Sequence, residues 1–203
     1  MGTHVFAWSV GPVIIECTLG DITAQEGFDA VVNAANAELR PGGGVAGAIH
    51  RVAGPRLEDE TRLLAPIEPG QAVVTAAYGL PNRFVIHCLG PVYGRDEPAE
   101  RLLHSCYLRA LREAEEHGLD SIAFPAISTG AFGYPMEEAA HVALDTVKVL
   151  AQALESLRRV RFVLHDAEAL EVHLRAAESL LERPPDGTVD QDTEVRNREI
   201  QES

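Results

Sequence analysis

The chain has 203 residues, of which 46% are apolar and 24% charged, so it can bury one sizeable core and has the composition of a globular domain. Its 31 acidic and 17 basic residues give a formal net charge of −14, which argues against general binding to nucleic acids or anionic membranes. No stretch approaches the ~20 apolar residues of a membrane span, and the N-terminus lacks the pattern of a signal peptide. We therefore expect a cytoplasmic protein.

Strand and helix patterns alternate along the first half of the chain. Short runs rich in β-branched residues predict strands at residues 13–17 and 30–32. Apolar residues within 45–52 have helical spacing, directly after three consecutive glycines. Two more strands are predicted at 72–76 and 84–88.

The second half continues the alternation. One apolar stripe at helical spacing covers residues 102–114, and a strand is predicted at 121–125. A helix opens at Pro135, in the first helical position that proline tolerates. The last strand is predicted at 160–164 and the last helix at 170–181. Such alternation implies a sheet with much parallel pairing and helices on its faces.

The last twenty residues have a different composition. Residues 184–203 carry six acidic and two basic side chains and only three aliphatic ones. That is too little apolar surface to offset the entropy cost of ordering. We therefore divide the chain into one domain, residues 1–183, and a mobile acidic tail, residues 184–203.

Three cysteines, Cys17, Cys88 and Cys106, lie far apart in the sequence. None has the close spacing of a zinc site or of a disulfide framework. We expect buried thiols and no bound metal.

Two glycine-containing loops follow predicted strands. Residues 40–47 read RPGGGVAG, and residues 127–134 read ISTGAFGY. Glycines let a ligand approach the backbone, and consecutive amides at a helix N-terminus bind anions. Ligands of open α/β folds sit at the carboxyl ends of strands, so two such loops facing one another would suit a diphosphate. The alternative is that each loop is only a tight turn. The patterns GxGxxG and GxxxxGK[ST] are absent.

Asn33 and Asn36 flank two alanines just before the first of these loops. Each side-chain amide can both donate and accept, which suits the hydroxyls of a ribose. The alternative is that each amide closes its own turn. We favour turn closure for Asn33 and ribose contact for Asn36.

These segments resemble a known family. NAANAELRPGGGVAGAIHRVAG, PAISTGAFGYP and the upstream GDIT are together similar to the macrodomain, an ADP-ribose-binding module, and the resemblance covers about residues 10–182. It implies an α/β fold, a three-layer α/β/α sandwich with a mixed central sheet. It also implies that ADP-ribose, and proteins or metabolites carrying one ADP-ribose, are the partners.

The resemblance assigns roles to particular residues. Asp21 would accept from the adenine amino group with Ile22 beside it, although Asp21 could instead be only an N-cap. Asn36 would contact the distal ribose. The diphosphate would be lined by Gly43, Gly44, Val45 and Ala46 on one side and by Ser128, Thr129, Gly130, Ala131 and Phe132 on the other, with Phe132 also near the distal ribose and His165 near the adenine.

One position departs from part of the family. MacroD-type ADP-ribosyl hydrolases, which the chain resembles overall, have an Asp where this chain has Ala46, so the obvious general base is missing. GGGVAGA is also similar to viral and some archaeal macrodomains, which include hydrolases that work without that Asp. We therefore expect a metal-independent and cofactor-free hydrolase that removes mono-ADP-ribose from acidic side chains, and that also deacetylates O-acetyl-ADP-ribose.

His50 lies one helical turn past Ala46 and is, with Asn36, the candidate catalytic residue. It could orient water or substrate. The alternative is a half-buried histidine bonded to a backbone carbonyl. We expect His87 and His165 at strand ends and the remaining histidines on solvated faces or at the N-terminus.

Two other functions use the same pocket. A non-catalytic reader of ADP-ribosylated partners would need no general base, and an ADP-ribose 1″-phosphatase would differ only in substrate. In every case we expect a monomer with no general affinity for nucleic acids or membranes.

Overall fold

The computed structural model of the protein describes residues 4–181, so the tail predicted at 184–203 lies outside the described residues. Its strands are β1 (Val5–Val10), β2 (Val13–Leu19), β3 (Ala30–Ala34), β4 (Ala72–Ala76), β5 (Phe84–Cys88), β6 (Ser121–Phe124) and β7 (Arg159–Leu164). Its α-helices are α1 (Gly44–Ala53), α2 (Pro55–Leu64), α3 (Ala99–Glu116), α4 (Met136–Ala151) and α5 (Ala167–Leu180). A short 3-10 helix spans Ile22–Ala24.

All seven strands form one mixed sheet in the order β1-β2-β7-β6-β3-β5-β4. The neighbouring pairs from β2 to β5 are parallel. The two edge strands, β1 and β4, are antiparallel to their neighbours. Because the five inner strands run in one direction, their carboxyl ends meet at one edge of the sheet.

Alternate side chains of each strand face opposite helical layers, as the pleat requires. Val32 of β3 belongs to a core shared with Leu103 of α3 and Ala143 of α4, and α5 packs in the same layer. The preceding residue, Val31, points the other way and packs with Ile49 of α1 and Leu57 of α2. The predicted three-layer α/β/α sandwich is therefore confirmed.

The predicted inner elements agree with the structure, and the strands at 72–76 and 84–88 have the predicted bounds. One strand and one α-helix were not predicted. β1 is an edge strand on which only Trp8 is buried, and α2 buries only Leu57 and Thr61. Neither therefore shows a strong apolar period. Pro135 is not the first residue of α4 but its N-cap, since the helix begins at Met136.

The cysteine prediction is confirmed, because Cys17, Cys88 and Cys106 are free and buried. Burial raises the pKa of all three thiols. Within residues 4–181, no group of three or more His, Cys, Asp or Glu side chains is placed to hold a metal ion. No helix in the same range has the length and hydropathy to cross a membrane.

Candidate functional site

Most of the candidate residues lie directly after four inner strands, at one edge of the sheet. β2 leads into Gly20 and Asp21, β7 into His165, β3 into the loop at 35–43, and β6 into the loop at 125–134. The amide of Gly20 donates to the carbonyl of Leu164 at 2.8 Å, which extends the β2–β7 pairing to this edge. The sequence-predicted residues are thus gathered where ligands of open α/β sheets bind.

The glycine loop ends in the N-terminus of α1. Gly43 is the N-cap, so the amides of Gly44, Val45 and Ala46 lie in the first turn, where no intrahelical acceptor exists. The amide of Gly42 also has no hydrogen-bond acceptor among the described residues. Gly44 has a φ of 60°, in the left-handed region that favours glycine. This arrangement presents a run of unpaired donors at the positive end of a helix dipole.

The room for an added side chain differs between Gly43 and Gly47. A Cβ added to Gly43 would meet nothing within 4 Å, so its open side faces solvent. A Cβ added to Gly47 would lie 2.1 Å from the carbonyl oxygen of Gly42. Gly47 is therefore required for the loop to fold back over α1, whereas Gly43 is free of any such packing role.

The second loop is folded tightly on itself. The amide of Tyr134 donates to the carbonyl of Ser128 at 3.0 Å, and that of Gly133 donates to Gly130 at 2.9 Å. The hydroxyl of Thr129 donates to the carbonyl of Ala126 at 2.9 Å. Ser128 has a φ of 67°, which is uncommon for a residue other than glycine. Such local strain is retained where the surroundings enforce it, as at many ligand sites.

The tip of this loop presents further donors. Gly130 and Ala131 are exposed, and their amides have no acceptor among the described residues. The hydroxyl oxygen of Ser128 is buried without a hydrogen-bond partner in the same part of the chain. Both loops therefore present unpaired backbone amides on small, exposed residues, which is the arrangement of an anion site.

Packing brings the two loops together. Phe132 from the second loop packs against the buried cluster of Ala35, Leu39, Ile67 and Leu89, and Ala35 and Leu39 belong to the first loop. Gly90, just after β5, lies under the second loop, since a Cβ there would be 2.0 Å from the Ser128 Oγ. The sequence analysis did not single out Gly90, although its place directly after a predicted strand was a usable signal.

The two asparagines behave differently from each other. Asn36 closes its own turn, because its Nδ2 donates to the carbonyl of Arg40 at 2.8 Å and its Oδ1 accepts from the Arg40 amide at 3.0 Å. One amide hydrogen and one lone pair of Asn36 remain for a ligand. Asn33 does not close its turn, so that prediction was wrong. It is fully buried, and its Nδ2 lies 3.0 Å from the Nδ1 of His87.

A buried polar cluster lies beneath α1. His87 also contacts the hydroxyl of Thr75, with 2.9 Å between Nε2 and Oγ1. Burial lowers the pKa of His87 to about 3, and His50 acts in the same direction. The His87 ring is therefore neutral at pH 7, with one nitrogen accepting and the other donating.

His50 packs at the edge of this cluster, with 6.5 Å between its ring centroid and that of His87. The alternative in which His50 bonds a backbone carbonyl is wrong, because neither ring nitrogen has a partner among the described residues. His50 is only 6% exposed. Burial lowers the pKa of its ring, while the charge of Glu58 opposes this shift. The prediction of solvated faces was also wrong for His173, which is buried and bonds the carbonyl of Ala169.

The turn after β2 also contributes candidate residues to the site. Asp21 is the N-cap of the 3-10 helix, and its Oδ1 accepts from the amide and the hydroxyl of Thr23, both at 2.8 Å. Its other oxygen has no partner among the described residues, and the residue is exposed. Ile22 is buried against α1. His165 is exposed after β7, with its Nε2 2.9 Å from the Asp166 carboxylate.

Comparisons with known proteins identify the family of this chain. The family model described as Macro domain matches residues 32–143, which is more than half of the chain. An O-acetyl-ADP-ribose deacetylase of Enterobacter sp. (strain 638) is 45% identical over 166 residues, covering 79% of this chain and 92% of that protein. The chain therefore belongs to the Macro domain family.

Solved structures give the same answer for the fold. The Oceanobacillus iheyensis macrodomain with ADP is 34% identical, with a TM-score of 0.85, and the match covers 89% of this chain and 98% of that one. The Trypanosoma brucei macrodomain in complex with ADP-ribose is 36% identical, with a TM-score of 0.75, covering 80% and 68%. The macrodomain fold expected from the sequence motifs is confirmed.

Proposed function

We propose that this macrodomain binds ADP-ribose at the carboxyl edge of its sheet and hydrolyses the bond between ADP-ribose and an acidic side chain of a modified protein. The observation that carries the proposal is the pairing of two loops with unpaired amides, held together by Phe132. A diphosphate placed between them would accept from the amides of both loops. Such binding needs few cationic side chains, which fits a chain of net charge −14.

The remaining groups fit the two ends of the same ligand. The unpaired carboxylate oxygen of Asp21 can accept from the amino group of adenine, and His165 lies exposed on the adjacent strand end. At the other end, Asn36 keeps one donor and one acceptor for the hydroxyls of the distal ribose. The solved structures of the two related macrodomains contain ligands of this chemistry, ADP in the one from Oceanobacillus iheyensis and ADP-ribose in the one from Trypanosoma brucei.

The proposed reaction is hydrolysis at C1″ of the distal ribose. The oxygen of a water forms a bond to C1″, the bond from C1″ to the ester oxygen breaks, and the carboxylate leaves with the electron pair. One hydrogen of the water stays on the new hydroxyl group at C1″, and the other passes to solvent as a proton. Because Ala46 supplies no base, the rate depends on positioning of the water by Asn36 and the ligand phosphate, and on stabilisation of developing charge by the loop amides.

His50 is a candidate for orienting the water or substrate, as one buried and unpartnered imidazole one turn past Ala46. Its lowered pKa makes it neutral at pH 7, so it can donate from one nitrogen and accept at the other. A neutral ring of this kind suits orientation better than strong general-base catalysis.

The test is a time course of ADP-ribose release from a protein modified on Asp or Glu, with the Asn36→Ala variant in parallel. We expect release by the native protein and much slower release by the variant. Because Asn36 also closes its own turn, ADP-ribose affinity is measured for both proteins, so that a binding defect is separated from a turnover defect. Tight binding with no release over hours, at saturating protein, would make the domain a reader and the hydrolase proposal wrong.

Deacetylation of O-acetyl-ADP-ribose is the second candidate. It is favoured by the 45% identical Enterobacter protein, which is named for that activity. The acetyl ester is also carried on the distal ribose, so the same pocket serves both reactions. Acetate release from O-acetyl-ADP-ribose, measured beside the protein assay, gives the relative rates of the two.

A further inference from the structure

One stretch of the sheet carries charged side chains on β2 and β7. Glu16 of β2 and Arg159 and Arg161 of β7 lie on the same side of the sheet, next to Phe28. Glu16 is 6% exposed, and it accepts from the Nε of Arg161 at 2.6 Å and more weakly from Arg159 at 3.4 Å. A carboxylate this buried is stable only when paired, so Arg161 is held firmly by the sheet.

From Arg161, a chain of hydrogen bonds runs to the turn that carries Asp21. Nη1 of Arg161 donates to the Oε1 of Gln25 at 3.3 Å, and Nε2 of Gln25 donates to the backbone carbonyl of Asp21 at 2.7 Å. Gln25 is 6% exposed. With Arg161 on its oxygen, the amide of Gln25 can present only its nitrogen to Asp21, so its orientation is fixed.

The same turn is held from two other directions. Thr23 fixes one carboxylate oxygen of Asp21, and Ile22 is buried against α1. The peptide carbonyl of Asp21 accepts two hydrogen bonds, from the Ala24 amide at 3.1 Å and from the Nε2 of Gln25 at 2.7 Å. The bond from Gln25 is the shorter, and it is the only one from a side chain among the described residues. The direction of the free carboxylate oxygen depends on that peptide plane as well as on the side-chain torsion.

From these contacts we infer that Gln25, oriented by Arg161, is a positioning residue that sets the selectivity of the site for adenine. The inference rests on the proposed function, in which Asp21 accepts from the adenine amino group. Adenine offers a donor at this position, whereas hypoxanthine offers a carbonyl oxygen that the carboxylate repels. A displaced Asp21 loses the favourable contact and the repulsion together, so discrimination between the two bases falls.

The experiment measures dissociation constants for ADP-ribose and for its analogue with hypoxanthine in place of adenine. The variant Gln25→Met keeps the volume of the side chain and removes both hydrogen bonds. We expect its affinity for ADP-ribose to fall about fivefold, which is the effect of about one hydrogen bond. Its affinity for the analogue should stay the same or rise, because the repulsion by Asp21 is lost as well. A merely structural role would weaken both ligands equally and leave the ratio unchanged.

The two arginines provide a matched pair of control variants. Both contact Glu16 and both lie over the ring of Phe28, at 4.5 Å for Arg159 and 4.4 Å for Arg161, but only Arg161 contacts Gln25. Arg161→Met should lower the ratio of the two affinities, and Arg159→Met should leave it at the native value. This pair also keeps the test decisive if Gln25→Met does not fold.

Two results separate the inference from the proposed function on which it rests. If the native protein does not distinguish the two ligands, or if Asp21→Ala leaves the ratio unchanged, then the adenine contact itself is wrong. If Asp21→Ala lowers the ratio but Gln25→Met and Arg161→Met do not, the adenine contact stands and the positioning role of Gln25 is overturned.

Discussion

The Gly43→Ala substitution tests whether a ligand approaches the backbone of the glycine loop. An added Cβ would meet no atom of the protein within 4 Å. The backbone of Gly43 has a φ of −79° and a ψ of 169°, which alanine adopts without strain. The folded protein alone therefore gives almost no reason for the substitution to matter.

The expected magnitudes can be worked out separately for folding and for binding. Replacing a glycine N-cap by alanine costs at most about 1 kcal/mol, so the melting temperature should fall by less than about 4 °C. A diphosphate seated on these amides would meet the new methyl group and lose one charge-assisted hydrogen bond, worth about 1.5–3 kcal/mol. ADP-ribose affinity should therefore fall by about tenfold to about a hundredfold.

Calorimetric titration with ADP-ribose and a thermal unfolding curve measure the two effects on the same sample. A large loss of affinity with a small shift in melting temperature supports backbone recognition of the diphosphate at Gly43. Native affinity in Gly43→Ala would refute the reasoning, because a ligand held by these amides leaves no room for a methyl group.

Three further predictions follow from other parts of the structure. Gly47→Ala should lower the free energy of unfolding by about 1–3 kcal/mol in a urea titration, since its Cβ would collide with the carbonyl of Gly42, and an unchanged midpoint would contradict the loop geometry. Burial holds the pKa of His87 at about 3, below its ordinary 6.5, so the unfolded state binds the extra proton and stability is lost as the pH falls below about 6.5. His87→Gln should therefore reduce the mean slope of unfolding free energy between pH 6.5 and 5 by about 1.1 kcal/mol per pH unit, and equal slopes would contradict it. Ala46→Asp should raise the rate of ADP-ribose release several-fold by supplying a base near the ribose, whereas an unchanged rate would show that water activation does not limit turnover.

Most strands and the long helices could be predicted because their apolar patterns are strong. β5 and the edge strand β4 have their predicted bounds, and the apolar stripe of α3 is its buried face. β1 and α2 were missed because each buries few side chains. An edge strand and a surface helix gain their stability from pairing and docking, which leave little trace in the local sequence.

The loops of the candidate site could be predicted from local sequence patterns, but the partners of its polar side chains could not. Loops rich in glycine after strand patterns indicate where backbone amides remain unpaired, and the structure has both loops at one edge of the sheet. The partners of polar side chains were not predictable. Asn33 and Asn36 lie only three residues apart, yet one is buried against His87 and the other closes a turn with Arg40.

The sequence by itself determined the alternation of strands and helices, the placement of the glycine loops and the family motifs, because each depends on residues close together in the chain. The tertiary structure decided which side chains meet across the sheet. Gln25 reaches Arg161, and Phe132 reaches Leu39, over separations of more than ninety residues, and only the strand order β2-β7-β6-β3 brings them into contact. Contacts of this kind depend on burial and strand pairing, so no local pattern encodes them.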